Sequence, residues 1–485
     1  MQKSSEKKQN TQGKSAFLKG AAWIAVGGFV AKLLGALYRI PLTNLIGGRG
    51  LGLYQLIYPI YCLLLTVSAT GIPSSIAKLT AERLQKGKGD KPLLITALKL
   101  FLGIGVFGSL LMAALAPLLA KAQGTQEVLG GYFTLAPSVL LVSAISVFRG
   151  WFQGKNRMFP TALSEMVEQA VKVGFGIAFA YLFRERVQTA VVFLLLAVSL
   201  SELVALIVMI IQFRRIPAPD KPVSDGEQVR AKSVLKLSIP VTLASIVLPI
   251  SGLIDSVLFV RILESQTAEA VTLYGLFAGG AVTVINLPVS ICYGIAAASV
   301  PAVSAAQAKA QASEKERAET VNDPNEQTGK RKKRGGVLSK IFFSFGVTLA
   351  VSLPSALGLY LLAEPAAKMI FRSLQGEELS TLVALIKSFS ISAVTLSLTQ
   401  TSSACLTAQG KPFCSALATS IGVTVKTLVY VLLLKNTDLG VFALAHATNL
   451  CYLVAFFIGL LYNIRIAVKA DKGAKAYDNH SGAGR

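Results

Sequence analysis

Long apolar stretches separated by short polar gaps recur along the chain from Phe17 to Tyr462. A helix needs about 20 apolar residues to cross a bilayer core about 30 Å thick. The gaps leave no room for a large soluble domain, so the pattern predicts an all-α polytopic membrane protein. The twelve predicted spans are roughly 16–38, 51–76, 93–120, 131–154, 159–183, 187–212, 233–260, 271–305, 337–362, 378–407, 412–434 and 437–463.

The composition agrees with this prediction. Of the 485 residues, 53% are hydrophobic and 15% are charged, whereas soluble domains have about 25% charged residues. The net charge of +23 would suggest nucleic-acid binding in a soluble protein, but the basic residues lie mainly between the apolar stretches, so we expect no nucleic-acid partner. The five cysteines lie in or beside apolar stretches without metal-ligand spacing, and we expect no metal or other cofactor.

The basic residues also predict the orientation in the membrane. With the N-terminus inside, the inner segments hold 34 of the 48 Lys and Arg residues and the outer gaps hold 10. Because an excess of Lys and Arg marks the cytoplasmic side, we expect both termini, the loop 306–336 and the tail 464–485 in the cytoplasm. The cluster Lys330–Arg334 in that loop is either a contact with anionic membrane lipids or a solvated loop that sets topology.

An internal repeat divides the chain. The segment Phe152–Lys155 returns as Ala408–Lys411, and Lys172 and Lys426 occupy equivalent positions in the spans that follow. Because six spans is an even number, both halves start on the same side of the membrane, and they form a parallel repeat. Such repeats are typical of transporters, with the substrate site at the interface of the repeats. The two predicted six-helix lobes are 1–231, which includes the N-terminal tail, and 232–463, which includes the loop 306–336.

Cationic residues inside the spans are the first candidates for function. A charge at mid-helix costs about 2.5–3.5 kcal/mol on insertion scales, so each one needs a reason. Arg39 lies seven residues after Lys32 on the same helix face, where the pair either lines a cavity or snorkels to the headgroups. If these side chains face a cavity, their charge favours a phosphate group. The candidate substrate-binding residues are Lys32, Arg39, Lys172, Arg261 and Lys426.

The other charged residues in or beside the spans leave two interpretations open. Glu168 and Lys172 are four residues apart, which favours a structural intrahelical pair. Lys78 and Arg149 end spans two and four on the inner side, as cytoplasmic gate residues or as markers of topology. The candidates for ion coupling or for a structural role are Asp255, Glu165, Glu168 and Glu202.

Several motifs resemble the polysaccharide flippases of the MOP exporter superfamily, and more narrowly the branch that holds stage V sporulation protein B and the MurJ-type lipid II flippases. The resemblance implies a MOP/MATE-like fold, with a central cationic cavity between two lobes, in the bacterial cytoplasmic membrane. In such flippases cavity arginines engage a pyrophosphate, and Arg39 and Arg261 match them by motif position, with Lys32 replacing an arginine. The motifs are Lys32–Pro41, Gly52–Gln55, Tyr58–Tyr61, Gly71–Pro73, Phe148–Gly154, Pro160–Ala162, Val167–Gln169, Ile254–Ser256, Val260–Arg261 and Asn286–Pro288.

We therefore expect a flippase that moves an undecaprenyl-pyrophosphate-linked oligosaccharide outward by alternating access. The cargo stays open between lipid II and another cell-envelope glycan precursor, because MurJ-type flippases usually carry two helices beyond the twelve counted here. No enzyme is expected, since the chain has no phosphate-binding loop and no long outer loop with paired carboxylates. Two alternatives remain: a cation-coupled multidrug antiporter of the same superfamily, and a non-transporting scaffold that recruits cell-wall synthesis enzymes through basic loops.

Overall fold

The computed structural model of the chain describes residues 34–35, 38–216, 231–292, 294, 300, 303–308 and 336–482. Every regular element in these ranges is helical, and the all-α fold class is confirmed. Lys32, almost all of the first predicted span and the basic cluster Lys330–Arg334 lie outside the described residues.

The hydropathy pattern predicts helices α3 to α6 closely. Their bounds agree with predicted spans three to six to within two residues, because each of these apolar runs ends in a polar turn. The predicted gap between spans one and two is wrong, because α1 is helical throughout 39–50. The elements are α1 (38–65), a π-helical segment Thr66–Thr70, α2 (Ile72–Gln85), α3 (Lys91–Ala122), α4 (Leu129–Gly154), α5 (Phe159–Leu182) and α6 (Val187–Arg214).

The later helices are more broken. Predicted span seven is divided into α7, α8, a π-helical segment and α9, and predicted span ten is bent by 47° between α14 and α15. The elements are α7 (Ala231–Ser245), α8 (Val247–Ile254), the π-helical segment Asp255–Phe259, α9 (Val260–Glu264), α10 (Ala270–Gly275), the π-helical segment Leu276–Ala281, α11 (282–292), α12 (Val337–Leu361), α13 (Ala363–Ile370), α14 (Gly376–Phe389), α15 (Ser392–Ala408), α16 (Pro412–Asn436) and α17 (Val441–Gly482).

Most of these helices have the length and composition of membrane spans. Within the described residues, eight helices are long and apolar enough to cross a membrane, or nine if α14 and α15 form one broken span. Helix α5 is not among the eight, because Glu165, Glu168 and Lys172 all fall inside any 18-residue window of it. The chain is thus a multi-pass membrane protein.

The chain forms two compact units. Unit 1 comprises Met1–Gly280 and Lys368–Leu379, and unit 2 comprises Ala281–Ala367 and Ser380–Arg485. The lobe boundary after residue 231 that the repeat predicts stays a prediction.

Segment Lys368–Leu379 is fixed within unit 1 by polar and apolar contacts. Asn44 Nδ2 donates a hydrogen bond to the Ile370 carbonyl at 2.9 Å, and Asn44 Oδ1 accepts one from Ser373 N at 3.1 Å. Phe371 and Leu374 are buried. One side chain of α1 therefore contacts both the last residue of α13 and the turn that follows it.

Backbone contact between α1 and α10 requires glycine in unit 1. A Cβ atom on Gly52 would lie 2.1 Å from the Val271 carbonyl oxygen, and one on Gly275 would lie 2.4 Å from Gly52 N. Any larger residue would push the two helices apart, which gives the glycine of the Gly52–Gln55 motif a packing role.

Neutral polar side chains join the helices of unit 2. Thr401 on α15 and Thr348 on α12 share a hydrogen bond of 2.8 Å between their hydroxyl groups. Asn463 on α17 donates to Ser402 Oγ at 2.9 Å and accepts from Gln409 Nε2 at 2.7 Å. Hydroxyl and amide groups thus connect α15 to two of its neighbours.

Candidate functional site

Five charged residues of unit 1 come together from four helices, and we call them the unit 1 charged cluster. Arg39 lies on α1, Arg149 on α4, Glu168 and Lys172 on α5, and Glu202 on α6. Sequence reasoning singled out all five, and the only pair that it favoured among them was Glu168 with Lys172.

The first contact of the cluster is an ion pair between α4 and α5. Arg149 Nη2 lies 2.9 Å from Glu168 Oε2, and Arg149 Nε donates to Ser164 Oγ at 3.0 Å. The two charged side chains are only 15% and 20% exposed. Glu168 therefore makes its direct ion pair with Arg149 rather than with Lys172, the partner that the spacing on α5 favoured.

The second feature is the approach of two cations. Lys172 interacts electrostatically with Arg39 as well as with Glu168 and Glu202. Cys62 on α1 lies within electrostatic range of both Arg39 and Lys172. Like charges repel, and the repulsion is stronger in a medium of low dielectric constant than in water. Glu168 and Glu202 act on Lys172 with the opposite sign and more strongly than Arg39 does. An anion bound beside Arg39 and Lys172 would add a further attraction.

The third feature is a carboxyl group bound to a tyrosine. Glu202 is 2% exposed, and its Oε1 atom accepts a hydrogen bond from the Tyr61 hydroxyl group. Tyr61 belongs to an aromatic row on α1, in which the ring centroids of Tyr54 and Tyr58 are 5.3 Å apart and those of Tyr58 and Tyr61 are 5.5 Å apart.

Sequence reasoning missed this aromatic row. The signal was the spacing of Tyr54, Tyr58 and Tyr61 at positions i, i+4 and i+7, which places all three on one helix face.

The cationic candidates outside the cluster have other surroundings. Arg261 is exposed at the end of α9, where its charge acts on Glu264. Lys78 is exposed on α2, with its Nζ atom 3.9 Å from Glu82 Oε1. Lys426 is buried on α16 and belongs to unit 2.

Two acidic candidates also lie apart from the contacts just described. Asp255 begins the π-helical segment of predicted span seven, and Glu165 is partly exposed on α5. Among the described residues, no three His, Cys, Asp or Glu side chains are grouped so that they could hold a metal ion.

Part of the Phe148–Gly154 motif is structural. Trp151 and Phe152 are buried, and the Lys155 ammonium group lies 4.4 Å from the Trp151 ring centroid. Lys155 Nζ also lies 2.8 Å from Asp90 Oδ2, at the start of α3. These contacts fix the turn after α4 and thereby the position of Arg149.

The sequence matches known proteins over most of its length. The family described as "Polysaccharide biosynthesis protein" matches residues 17–307, which is more than half of the chain. Stage V sporulation protein B of Bacillus subtilis (strain 168) is 27% identical over 304 residues, which cover 60% of this chain and 58% of that protein. Lipid II flippase MurJ of the same organism is 27% identical over 179 residues, which cover 35% of this chain and 33% of the flippase. The matched regions thus span less than two thirds of either relative.

The fold also has solved counterparts. An inward-facing multidrug resistance MATE family transporter of the MOP superfamily superimposes with a TM-score of 0.73 at 16% identity, covering 91% of this chain and 96% of that one. At this identity the likeness shows the fold alone, which confirms the predicted MOP/MATE-like architecture. The family match over residues 17–307 shows that the chain belongs to the polysaccharide biosynthesis protein family.

Proposed function

We propose that the chain exports a lipid-linked oligosaccharide with a pyrophosphate group across the bacterial cytoplasmic membrane by alternating access. The observation that carries the proposal is that Arg39 and Lys172 lie within electrostatic range of each other inside unit 1. Both termini lie on the cytoplasmic side in this proposal, as the distribution of Lys and Arg predicts.

A pyrophosphate suits these two cations for chemical reasons. The Arg39 guanidinium can donate two parallel hydrogen bonds to one phosphate, and the Lys172 ammonium acts as a compact positive charge beside the other. Lys32, Arg261 and Lys426 are further proposed contacts along the path of the cargo. The named activity of the flippase relative, lipid II transport, has this chemistry in its cargo, which supports the proposal.

A flipping assay in proteoliposomes tests the proposal. The probe is a fluorescent undecaprenyl-pyrophosphate disaccharide, whose exposure on each side is read by a membrane-impermeant quencher. Arg39→Ala and Lys172→Ala should each slow flipping by about 10- to 100-fold, because a charged hydrogen bond is worth about 1.5–3 kcal/mol. Arg157→Ala and Lys121→Ala are matched controls at exposed positions of unit 1 and should flip at the normal rate.

Two results would contradict the proposal. Normal flipping by both Arg39→Ala and Lys172→Ala would show that these two cations do not bind the cargo. No flipping by the unaltered protein, with drug export lost when Glu202 is changed, would favour the multidrug antiporter.

A further inference from the structure

We propose that Asp471 is a positioning residue, which caps the first turn of α12 from the far part of α17 and keeps α12, α15 and α17 together at one end during the whole transport cycle. We call the parts of these helices that are predicted to face the cytoplasm their inner ends. The effect of Asp471 on transport rests on the proposed function, whereas the cap itself does not.

The stretch 464–471, which follows predicted span twelve, is packed into unit 2. Helix α17 continues without a break from Val441 to Gly482 and so passes the predicted end of the span at residue 463. Ala467 is completely buried, and Ala470 packs against the same apolar cluster. A stretch that only carried the chain away from the membrane would have no reason to bury one helix face. The stretch 464–471 is therefore a structural part of unit 2.

The first turn of α12 receives its cap from this stretch. Asp471 Oδ1 accepts a hydrogen bond from Val337 N at 2.9 Å, and Asp471 Oδ2 accepts one from Leu338 N at 3.1 Å. Both donors belong to the backbone N–H groups that a helix cannot pair within itself. The residue before them is Gly336, which has no side chain that could accept these hydrogens. The carboxylate of Asp471 takes the place of a local N-cap residue, and its negative charge suits the start of a helix.

Glycine at position 336 is part of this arrangement. A Cβ atom on Gly336 would lie 2.6 Å from Asp471 Oδ2, which is too close for any side chain. The absence of a Cβ atom thus allows the carboxylate to reach the backbone of α12. A local cap and the cap from α17 exclude each other at this position.

The cap is continuous with an apolar cluster that joins four segments of unit 2. The segments are 303–308, α12, α15 and α17, and Ser304 Oγ on the first of them donates to the Ala408 carbonyl of α15 at 3.2 Å. The fully buried members of the cluster are Val303, Val337, Ile341, Cys405 and Ala467. The inner ends of the three helices therefore meet in one cluster, and Asp471 fixes the first turn of α12 against it.

The chain connection alone would hold the start of α12 only weakly. The loop 306–336 that precedes α12 is long, and the entropic cost of closing a loop rises slowly with its length. Two hydrogen bonds to a carboxylate are stronger than bonds between neutral groups. Alternating access moves bundles of helices largely as rigid bodies, which requires helices of one bundle to stay together. Asp471 supplies this connection at the inner end of α12.

Hydrogen exchange tests the cap without any cargo. In the full-length protein in lipid bilayers, Asp471→Ala should speed amide exchange in the peptide that starts at Val337 by at least about threefold, because a helix without its cap frays at the first turn. Asp471→Asn should have a smaller effect, because one amide oxygen can still accept one of the two hydrogens. Lys469→Ala, at an exposed position of the same helix, is the matched control and should change nothing. Equal exchange in Asp471→Ala and the unaltered protein would overturn the cap.

A disulfide tests whether the contact stays closed during transport. A Cβ atom on Gly336 would lie 2.8 Å from Asp471 Cγ, so cysteines at positions 336 and 471 are close enough to pair. The reduced double variant Gly336→Cys, Asp471→Cys lacks the cap and should flip the fluorescent probe several-fold more slowly than the unaltered protein. Oxidation should restore the rate, because the disulfide replaces the cap. The unaltered protein, with its five native cysteines, is the control for the oxidant.

The outcomes of the disulfide experiment are distinct once mass spectrometry has verified the bond. Normal flipping by the reduced double variant would overturn the positioning role of Asp471. A rate that falls further on oxidation, or does not recover, would overturn the claim that the inner ends stay together. Failure of the unaltered protein to flip the probe would count against the proposed function, and the exchange experiment would still decide whether Asp471 caps α12.

Discussion

The interiors of the two units are held together by different chemistry. Unit 1 holds three cations and two acidic side chains in its charged cluster, whereas the charged side chains of unit 2 are exposed except Lys426 and Asp471, as far as the described residues go. Asp471 accepts hydrogen bonds from the first backbone N–H groups of α12. The sequence repeat predicts equivalent positions for Lys172 and Lys426, and the surroundings of the two side chains differ. Charged contacts are concentrated in unit 1, and the described helices of unit 2 are joined by neutral groups apart from Asp471.

The largest effect should follow from breaking the ion pair of unit 1. Arg149→Ala leaves Glu168 partly buried without its partner, and we expect a loss of about 3 kcal/mol in the free energy of unfolding. The measurement is reversible unfolding in bicelles. Adding Glu168→Gln to Arg149→Ala should recover much of the loss, because the uncompensated charge is then gone.

The control is Arg157→Ala, at an exposed position in the turn between α4 and α5. It should leave the unfolding free energy almost unchanged. Equal destabilisation by the two arginine variants would show that the charged cluster has no special role in unit 1.

A smaller effect is expected in unit 2 from Asn463→Ala. The Asn463 amide is fully buried and bonds to Gln409, Ser402 and the Gly459 carbonyl, so its removal leaves several polar groups without partners. We expect a loss of about 2 kcal/mol, measured by the same unfolding experiment. If the loss exceeded that of Arg149→Ala, the contrast between charged and neutral interiors would be wrong.

The smallest stability effect should come from Thr348→Val. This change removes the single hydroxyl contact with Thr401 and keeps the shape of the side chain. Hydrogen bonds between membrane helices contribute about 0.6 kcal/mol on average, and we expect a change of that size. Chemical unfolding of Thr348→Val, Thr401→Val and the double variant gives a double-mutant cycle for this hydrogen bond. A coupling energy several times larger than about 0.6 kcal/mol would contradict the expectation that neutral contacts in unit 2 are individually weak.

Removal of residues 313–334 should have almost no effect on transport. The proposed function lies in the helical units, so the internally shortened chain should flip the fluorescent probe at the normal rate. A non-transporting scaffold would instead lose its cell-wall phenotype, because its basic loop would be its contact with cell-wall synthesis enzymes. The shortened chain is tested both for rescue of the cell-wall phenotype and for flipping of the probe. A transporter keeps both, whereas a scaffold loses the rescue.

The sequence predicted the fold well where one apolar run makes one helix. Helices α3 to α6 begin and end within two residues of the predicted spans. The breaks in spans seven and ten were not predicted, because the overall hydropathy stays high across the π-helical segment Asp255–Phe259 and across the bend before α15, although each place contains polar residues. Such breaks depend on backbone hydrogen bonding and on packing against other helices.

Sequence reasoning named the charged residues of the cluster, but not their contacts between helices or the tyrosines beside them. The cost of charge in a membrane was enough to single out Arg39, Lys172 and Glu202. The pairs Arg149–Glu168 and Tyr61–Glu202 join different helices, and one sequence contains no signal for which helices are neighbours. Local spacing favoured a pair between Glu168 and Lys172 on α5. Glu168 instead makes its ion pair with Arg149 on α4.

The central claim is that the cations of unit 1 bind a pyrophosphate. The most direct measurement is native mass spectrometry of the purified protein titrated with undecaprenyl pyrophosphate, compared with undecaprenol. The unaltered protein should bind the pyrophosphate lipid in preference to the alcohol, and the double variant Arg39→Ala, Lys172→Ala should lose at least about tenfold in affinity, or about 1.4 kcal/mol. Equal affinity of the unaltered protein and the double variant for the pyrophosphate lipid would contradict the account.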